Sequence, residues 1–420
     1  MFKTWLKRSL CALLATGTIS AFTAQAQAAK IAYAGYASQN SNTNIHIMND
    51  DGSGKQLVID YSSVDWYPAL SYDNTKIVFS GYKFRAGLQL FTVNIDGTNL
   101  THITPDGGGF LAASWSPDGK QIVCMGGLPP SDPDAPYDDD IYIMNSDGSN
   151  LRVLADVAQD FLPSWSPDGK KIIFSSSATT SSPEPNVVYS VSPDGSNLQA
   201  ITPPGNYYQL SWSSDSKKIL YAYDHFDSQT GEQTDTGIAI MNADGSNPQI
   251  IHNSLDYYNF PRFMENGRIA FLSRAAGQQT QIFSMNAGGS DVQQLTNETY
   301  GVQGISTAFN IAPFSAPQTV TTNEDTTVNF VLTAEDSNGD SLEYSIVSGP
   351  SHGALSGIAP NLSYTPATNF HGDDSFTYRA GDGKTSTDIT VSLKVKAVND
   401  APTATPQNLE TSEDTALNIV

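Results

Sequence analysis

The stretch Trp115-Ser-Pro-Asp-Gly-Lys-Gln-Ile-Val-Cys124 recurs as Trp165-Ser-Pro-Asp-Gly-Lys-Lys-Ile-Ile-Phe174 and as Trp212-Ser-Ser-Asp-Ser-Lys-Lys-Ile-Leu-Tyr221. Weaker copies begin at Leu70 and Phe263. Each joins an aromatic or apolar residue, a turn, a cation and an apolar run, the pattern of a tight strand connection. A second unit follows each copy, as in Ile141-Tyr-Ile-Met-Asn-Ser-Asp-Gly-Ser-Asn-Leu151. Its Asp-Gly pair falls at Asp51, Asp96, Asp147, Asp194 and Asp244, with Gly288-Gly289 as a degenerate sixth copy, spaced 44–51 residues apart. Two hairpins per repeat of this length make one four-stranded propeller blade.

The second unit occurs six times and the first only five. The chain begins its repeats with Lys30-Ile-Ala-Tyr-Ala-Gly35, which matches the strand after the Lys turn. The missing inner strand is expected from Gly304–Asn310. A blade assembled from both ends leaves no free edge to pair with other chains. The expected fold is all-β: a six-bladed β-propeller over residues 30–312, followed by an Ig/cadherin-like β-sandwich.

The Trp-Ser-Pro-Asp-Gly-Lys and Asn-x-Asp-Gly-Ser-Asn units resemble the TolB-type propeller repeat of periplasmic bacterial proteins. Related propellers stand beside the catalytic domain of prolyl oligopeptidase-like peptidases. TolB carries a further N-terminal domain before its propeller. Here the first blade starts straight after a leader, so the resemblance implies the fold and not a role in the Tol–Pal system.

From Pro313 the Trp and Asp-Gly signature stops. Asn310-Ile-Ala-Pro recurs as Asn399-Asp-Ala-Pro, and Glu324-Asp-Thr as Glu413-Asp-Thr, both 89 residues later. Two motifs in one register mark a tandem repeat, one copy over 313–398 and the start of a second over 399–420. Its alternating strands predict an antiparallel sandwich. The second copy stops after about a quarter of its length, so either the sequence is a fragment of a longer protein, the favoured expectation, or the tail is disordered.

The run Ala334-Glu-Asp-Ser-Asn-Gly-Asp340 and the boundary Val398-Asn-Asp-Ala-Pro402 resemble bacterial cadherin-like, Ig-like repeats, which form arrays in large, often adhesin-like surface proteins. That resemblance implies Ca²⁺ held by Glu324, Asp336, Asp340, Asn399 and Asp400 between repeats. Such an ion takes six to eight hard oxygen ligands. The same residues could instead be a polar turn and a linker. An EF-hand is excluded, because position 12 of a loop starting at Asp336 is Val347.

Composition bounds the function. The 420 residues carry 21 Lys+Arg against 43 Asp+Glu, a net charge of −22. That excess opposes nucleic-acid and anionic-membrane binding, which need basic patches. Lys3, Lys7 and Arg8, an apolar stretch to Phe22 and two Ala-Gln-Ala sites form a secretory signal peptide over residues 1–28. No later apolar run approaches the ~20 residues that span a membrane. Export to the periplasm, cell surface or medium of a Gram-negative bacterium is expected. With the leader removed, Cys124 stands alone in an apolar strand, a buried thiol with no intrachain disulfide.

Both kinds of tight turn should lie on one face of the ring. The opposite face then carries the insertions 126–140, 176–187 and 223–237. It also carries the aromatics Trp66, Phe110, Phe161, Tyr207, Tyr208, Tyr257, Tyr258 and Tyr300, which could grip a peptide or stack on sugars, or simply pack between blades. The acidic insertion at 131–140 has no counterpart in other blades; a solvated loop or a cation site would account for it. Catalytic signatures are thin: there is no His-Glu-x-x-His, no Cys-x-x-Cys, and no nucleophile elbow leading into an α/β domain. The four propeller histidines fall at non-equivalent positions. The expected function is that of an exported, non-enzymatic, monomeric binding protein, its propeller face recognising a protein, peptide or glycan and its Ig-like repeats forming a Ca²⁺-stiffened stalk. The alternatives are a carbohydrate-active or other hydrolytic or lyase enzyme, with paired carboxylates in the funnel, and a purely structural cap.

Overall fold

A computed structural model describes residues 29–401 except 38–41, 62–64, 84–86, 129–138, 178–184, 227–232, 255–256 and 276. Beyond 401 it describes 406, 408–414 and 416. The signal peptide and most of the three insertions therefore lie outside the described residues. Every element among the described residues is a strand. No helix is long and apolar enough to cross a membrane.

Six four-stranded sheets form the propeller, each running from an inner to an outer strand. Blade 2, for example, comprises Asp65–Leu70, Lys76–Lys83, Gly87–Asn94 and Thr101–His102. In blade 1 the inner strand is Val302–Thr307, paired antiparallel with Lys30–Tyr36 from the other end of the ring. Ile305 faces Tyr33 in that pairing, and both are at most 2% exposed.

The repeated residues have two jobs. In the Ser-Pro-Asp-Gly turns, Asp118 and Asp168 accept hydrogen bonds from the Ser hydroxyl two residues back and the Lys N–H two residues on. In the outer turns, Asp96, Asp147, Asp194 and Asp244 accept from the hydroxyl and N–H of the following Thr or Ser, which hold these carboxyls below their usual range. The Asp residues thus serve the turns, as their Gly neighbours suggest. The tryptophans tie blades together. The Trp115 indole N–H donates to the Ala69 carbonyl of blade 2 at 3.0 Å, and that of Trp212 to the Ser164 carbonyl of blade 4 at 3.2 Å. Trp212 is 2% exposed, so Trp212→Ala should cost about 3–5 kcal/mol in denaturant unfolding, the usual loss for a buried Trp. Cys124 is fully buried, and burial pushes its thiol well above the ordinary range.

The second domain is a sandwich of a four-stranded and a three-stranded sheet. Val320, Tyr364, Phe376, Tyr378, Val391 and Leu393 belong to its core. It departs from the antiparallel expectation in one pair. Gln318–Asn323 runs parallel to Ser386–Lys396, because the chain enters and leaves the domain in the same direction.

The two domains meet at the tight-turn end of the ring. Asn338 is the hub of this contact: its side-chain amide donates to the Tyr72 and Phe309 carbonyls of the propeller segment, and its oxygen accepts from Ile311 N–H. Asn310 donates to Asp382 and Thr385, and Lys384 pairs with Glu265 of blade 6 at 2.6 Å. A cleft of about 740 Å³ separates the Ser-Pro-Asp-Gly turns of blades 3 and 4 from Phe314 and Thr387–Thr390 of the sandwich.

Candidate functional site: the axial funnel

The inner strands of blades 2–6 share one irregularity. Tyr67, Ala112, Leu162, Gln209 and Phe260 each adopt φ of 48–53°, a conformation that L-residues seldom take. Each sits at a register shift between inner strand and neighbour. This bulge inserts a residue and re-aims the side chains beside it. As a result it is these five residues, and not their predecessors, that line the axial cavity of about 100 Å³.

This corrects the expected aromatic ring. None of Trp66, Phe110, Phe161, Tyr207, Tyr208 or Tyr300 lines the cavity. Phe110 is fully buried against Tyr142 inside blade 3. Phe161 and Tyr207 pack on blade cores, and Tyr300 is 38% exposed away from the funnel lining. The set also mixed non-equivalent positions, since Trp66, Phe161 and Tyr208 immediately precede the bulge residue whereas Phe110 and Tyr207 lie two before it. The side chains of Tyr257 and Tyr258 lie outside the described residues. A strand alternation counted straight through the bulge puts the wrong side chains in the funnel.

One step further along each strand, after the bulge, the equivalent positions are Ala69, Ser114, Ser164, Ser211, Arg262 and Ser306. Ser114 and Ser306 accept the backbone N–H of Trp165 and Leu70 in the next blade. Arg262 is the one charge among the described lining residues; its Nη1 donates to the carbonyls of Gln209 (3.2 Å) and Pro261 (3.0 Å), and its guanidinium lies 5.7 Å over the Phe260 ring. Burial lowers its pKa to about 10. Among the described residues, the lining has no Asp, Glu or His, so these residues assemble no pair of carboxylates of the kind glycoside hydrolysis uses. Tyr72 and Phe309 line the cavity at the end where the sandwich loop docks.

On the insertion side, Asp160 sits at the same strand position as Phe110 and is fully buried. One oxygen accepts Val157 N–H, the other has no partner, and burial raises the carboxyl to about 6. The folded state therefore holds this proton more tightly than the unfolded chain. Its stability falls as pH rises from about 4 to 6 and stays lower above. Asp160→Asn should remove that slope and raise stability at pH 7 by roughly 2–3 kcal/mol, read from urea unfolding at pH 4.5 and 7.

The five residues expected around one Ca²⁺ do not form one site. Glu324 Oε1 accepts Val398 N–H, its other oxygen lies 3.7 Å from His371, and Asn399 and Asp400 are exposed beside it. Asp336 and Asp340 instead lie at the propeller end. The two groups are separated by the strand Ser386–Lys396, whose 11 residues span roughly 35 Å. At the propeller end, Asp336 Oδ2, Asp340 Oδ2 and Asn310 Oδ1 are buried without hydrogen-bond partners, and Asn310 is 8% exposed. Burial, with the charges of Asp340 and Asp382, raises the Asp336 carboxyl. Among the described residues, no three His, Cys, Asp or Glu side chains converge as a metal cluster.

An all-β ring with a narrow axial funnel, capped at one end by an Ig-type sandwich, defines the class. The chain matches the family described as TolB beta propeller domain over residues 134–305 and that described as Bacterial Ig domain over 310–395. Its fold is similar to that of TolB from Acinetobacter baumannii, at 21% identity and a TM-score of 0.56, covering 67% of this chain and 66% of that one. It is also similar to Kuenenia stuttgartiensis hydrazine synthase, at 13% identity and a TM-score of 0.54, covering 67% and 46%. The chain thus spans just under two thirds of the first structure's length and less than half of the second's. At these identities the likeness is one of fold. The protein is a TolB-like β-propeller followed by a bacterial Ig domain.

Proposed function

We propose that this is an exported, non-enzymatic binding protein of a bacterial envelope or surface, whose propeller takes a ligand at the insertion-side mouth of the funnel. The observation that supports the reading most is the asymmetry of the ring. The sandwich loop abuts Tyr72 and Phe309 at one end, which favours the opposite mouth of the funnel for a partner. Surfaces of this kind, loops carried on a rigid scaffold, are where recognition is commonly built. The lack of a carboxylate or His in the lining disfavours the hydrolase or lyase alternative at this location. The test is to probe peptide and glycan arrays with the full chain. Saturable binding to a defined subset supports the reading, and no binding to either array overturns it.

The Ig domain acts in this proposal as the first module of a stalk, with Ca²⁺ at its propeller end. Asp336 Oδ2, Asp340 Oδ2 and Asn310 Oδ1 are unpartnered oxygens of the hard type that Ca²⁺ takes, with water and backbone oxygens completing the shell. An ion bound only by the folded state raises its stability. Adding 1 mM Ca²⁺ to chelator-treated protein should therefore raise the melting temperature of the sandwich by several degrees, and Asp336→Asn should abolish the shift. Equal melting in Ca²⁺ and in chelator would remove the ion from the account.

A further inference from the structure

Arg262 is the anomaly of the funnel. In the other five blades the same strand position is Ala or Ser, short side chains that leave the axis open. Blade 6 alone places a long cation there. Only Nη1 has protein partners, both of them neutral carbonyls. Among the described residues no acid lies in the lining, and burial lowers its pKa. Arg262 is half-buried, and a guanidinium partly withdrawn from water with no counter-charge among the described lining residues is costly to keep, in a chain whose net charge is −22. Arg262 belongs to the cavity lining, which sets its guanidinium nitrogens against the funnel space. Their fork matches the two oxygens of a carboxylate.

The shape of the space narrows the source of that carboxylate. About 100 Å³ is room for roughly three waters, enough for a slender chain end and tight for a pyranose ring. The approach past Tyr67, Leu162, Phe260 and Pro163 is apolar and aromatic, which suits extended backbone with small side chains. It offers few of the multiple hydrogen-bonding groups that a sugar's hydroxyls require.

We propose that the funnel captures the C-terminal carboxylate of an extended peptide on the Arg262 guanidinium, in a lining that also holds Ser164 and Ser211. This rests on the reading of the funnel mouth as the ligand face and adds the ligand's chemistry to it. Neutral carbonyls hold the guanidinium in place without neutralising it, so the charge is available to the incoming group.

The experiment uses the full chain and matched pairs of random-sequence peptides, identical except that one member ends in a free carboxylate and the other in an amide. Uronic-acid oligosaccharides form a separate arm. Free-acid peptides should bind roughly 10- to 100-fold more tightly than their amides, the range for a hydrogen-bonded charge. Arg262→Gln should erase that preference and Arg262→Lys should keep part of it. The wild-type acid/amide comparison needs no variant, so a poorly folding Arg262→Gln would not blunt the test. Amides that bind as tightly as acids, with Arg262→Gln unchanged, would overturn the carboxylate assignment and leave the funnel-face reading standing. Uronates that bind where peptides do not would overturn the peptide assignment. Failure of every probe would overturn both.

Discussion

Ile305→Asp should abolish cooperative folding of the propeller. Ile305 lies in the inner strand that closes the ring, faces Tyr33 across it, and is 2% exposed in a core built from blades 1 and 6. A carboxylate there would be buried without a partner, at a cost of several kcal/mol. Against a typical total stability of about 5–15 kcal/mol that is a large share. The consequence also goes beyond one residue. If Val302–Thr307 is released, Lys30–Tyr36 becomes a new seven-residue apolar edge, and such edges pair with neighbouring chains. Loss of the thermal transition together with light scattering at micromolar concentration is the expected result. A conservative Ile305→Val should cost only about 1 kcal/mol. An Ile305→Asp protein that melts like wild type would mean that the ring is not closed by this strand.

The second large effect separates turn geometry from blade packing. Gly267 and Gly289 both adopt positive φ, 78° and 84°. A Cβ on Gly267 would meet nothing within 4 Å, whereas one on Gly289 would collide with the Ile251 carbonyl of blade 5. Gly267→Ala should therefore cost about 1–2 kcal/mol, the left-handed penalty alone. Gly289→Ala carries the same penalty and in addition must push two blades apart, so its loss should be at least twice as large in denaturant unfolding. Equal losses would show that the outer hairpin of blade 6 does not pack on blade 5. The same arrangement recurs around the ring, where a Cβ on Gly97 would come within 2.5 Å of the Val58 carbonyl oxygen and one on Gly52 within 2.7 Å of that of Leu295.

That contrast shows how much of the molecule the sequence makes legible. The hairpins, the blade count and the shared closing blade all follow from residues whose chemistry is local: Asp accepting its own turn's N–H groups, Gly in a turn, and Lys opening an apolar strand. The Asn in Asp-Gly-Ser-Asn has a local reason as well, since Asn99, Asn150, Asn197 and Asn247 take the left-handed conformation after the Gly. What escaped is non-local. That the turn glycine also seats one blade on another is visible only once the blades are side by side. The bulge escaped because its residues have nothing in common; Tyr, Ala, Leu, Gln and Phe adopt one backbone conformation that the ring imposes on them. Of the aromatics expected on the insertion face, Trp66, Phe110, Phe161, Tyr207, Tyr208 and Tyr300 lie outside the funnel lining.

The Ca²⁺ set escaped for a related reason. Repeat-to-repeat analogy identifies residues that face junctions, but a single repeat has two ends. Asp336 and Asp340 belong to the junction with the propeller, and Glu324, Asn399 and Asp400 to the opposite end. Asn338 between the two acids reads as turn filler, and its role as the docking hub depends on the Tyr72 and Phe309 carbonyls. Arg262 did leave a signal. Its copy of the repeat reads Arg-Phe where three others read Ser-Trp, and that departure is visible in an alignment of the blades.

The central claim is that ligand enters the insertion-side mouth of the funnel, and Ala112→Phe tests it most directly. Ala112 lines the cavity with φ 53°, and blade 6 already holds a Phe in the same conformation at the equivalent position, Phe260 with φ 50°. The substitution thus fills the funnel with a side chain its backbone accommodates. Thr98→Phe, on the exposed outer turn of blade 2, is the matched control. Against a ligand selected on the arrays, Ala112→Phe should lose at least tenfold in affinity while Thr98→Phe binds as wild type. Undiminished binding by a folded Ala112→Phe protein would contradict the account.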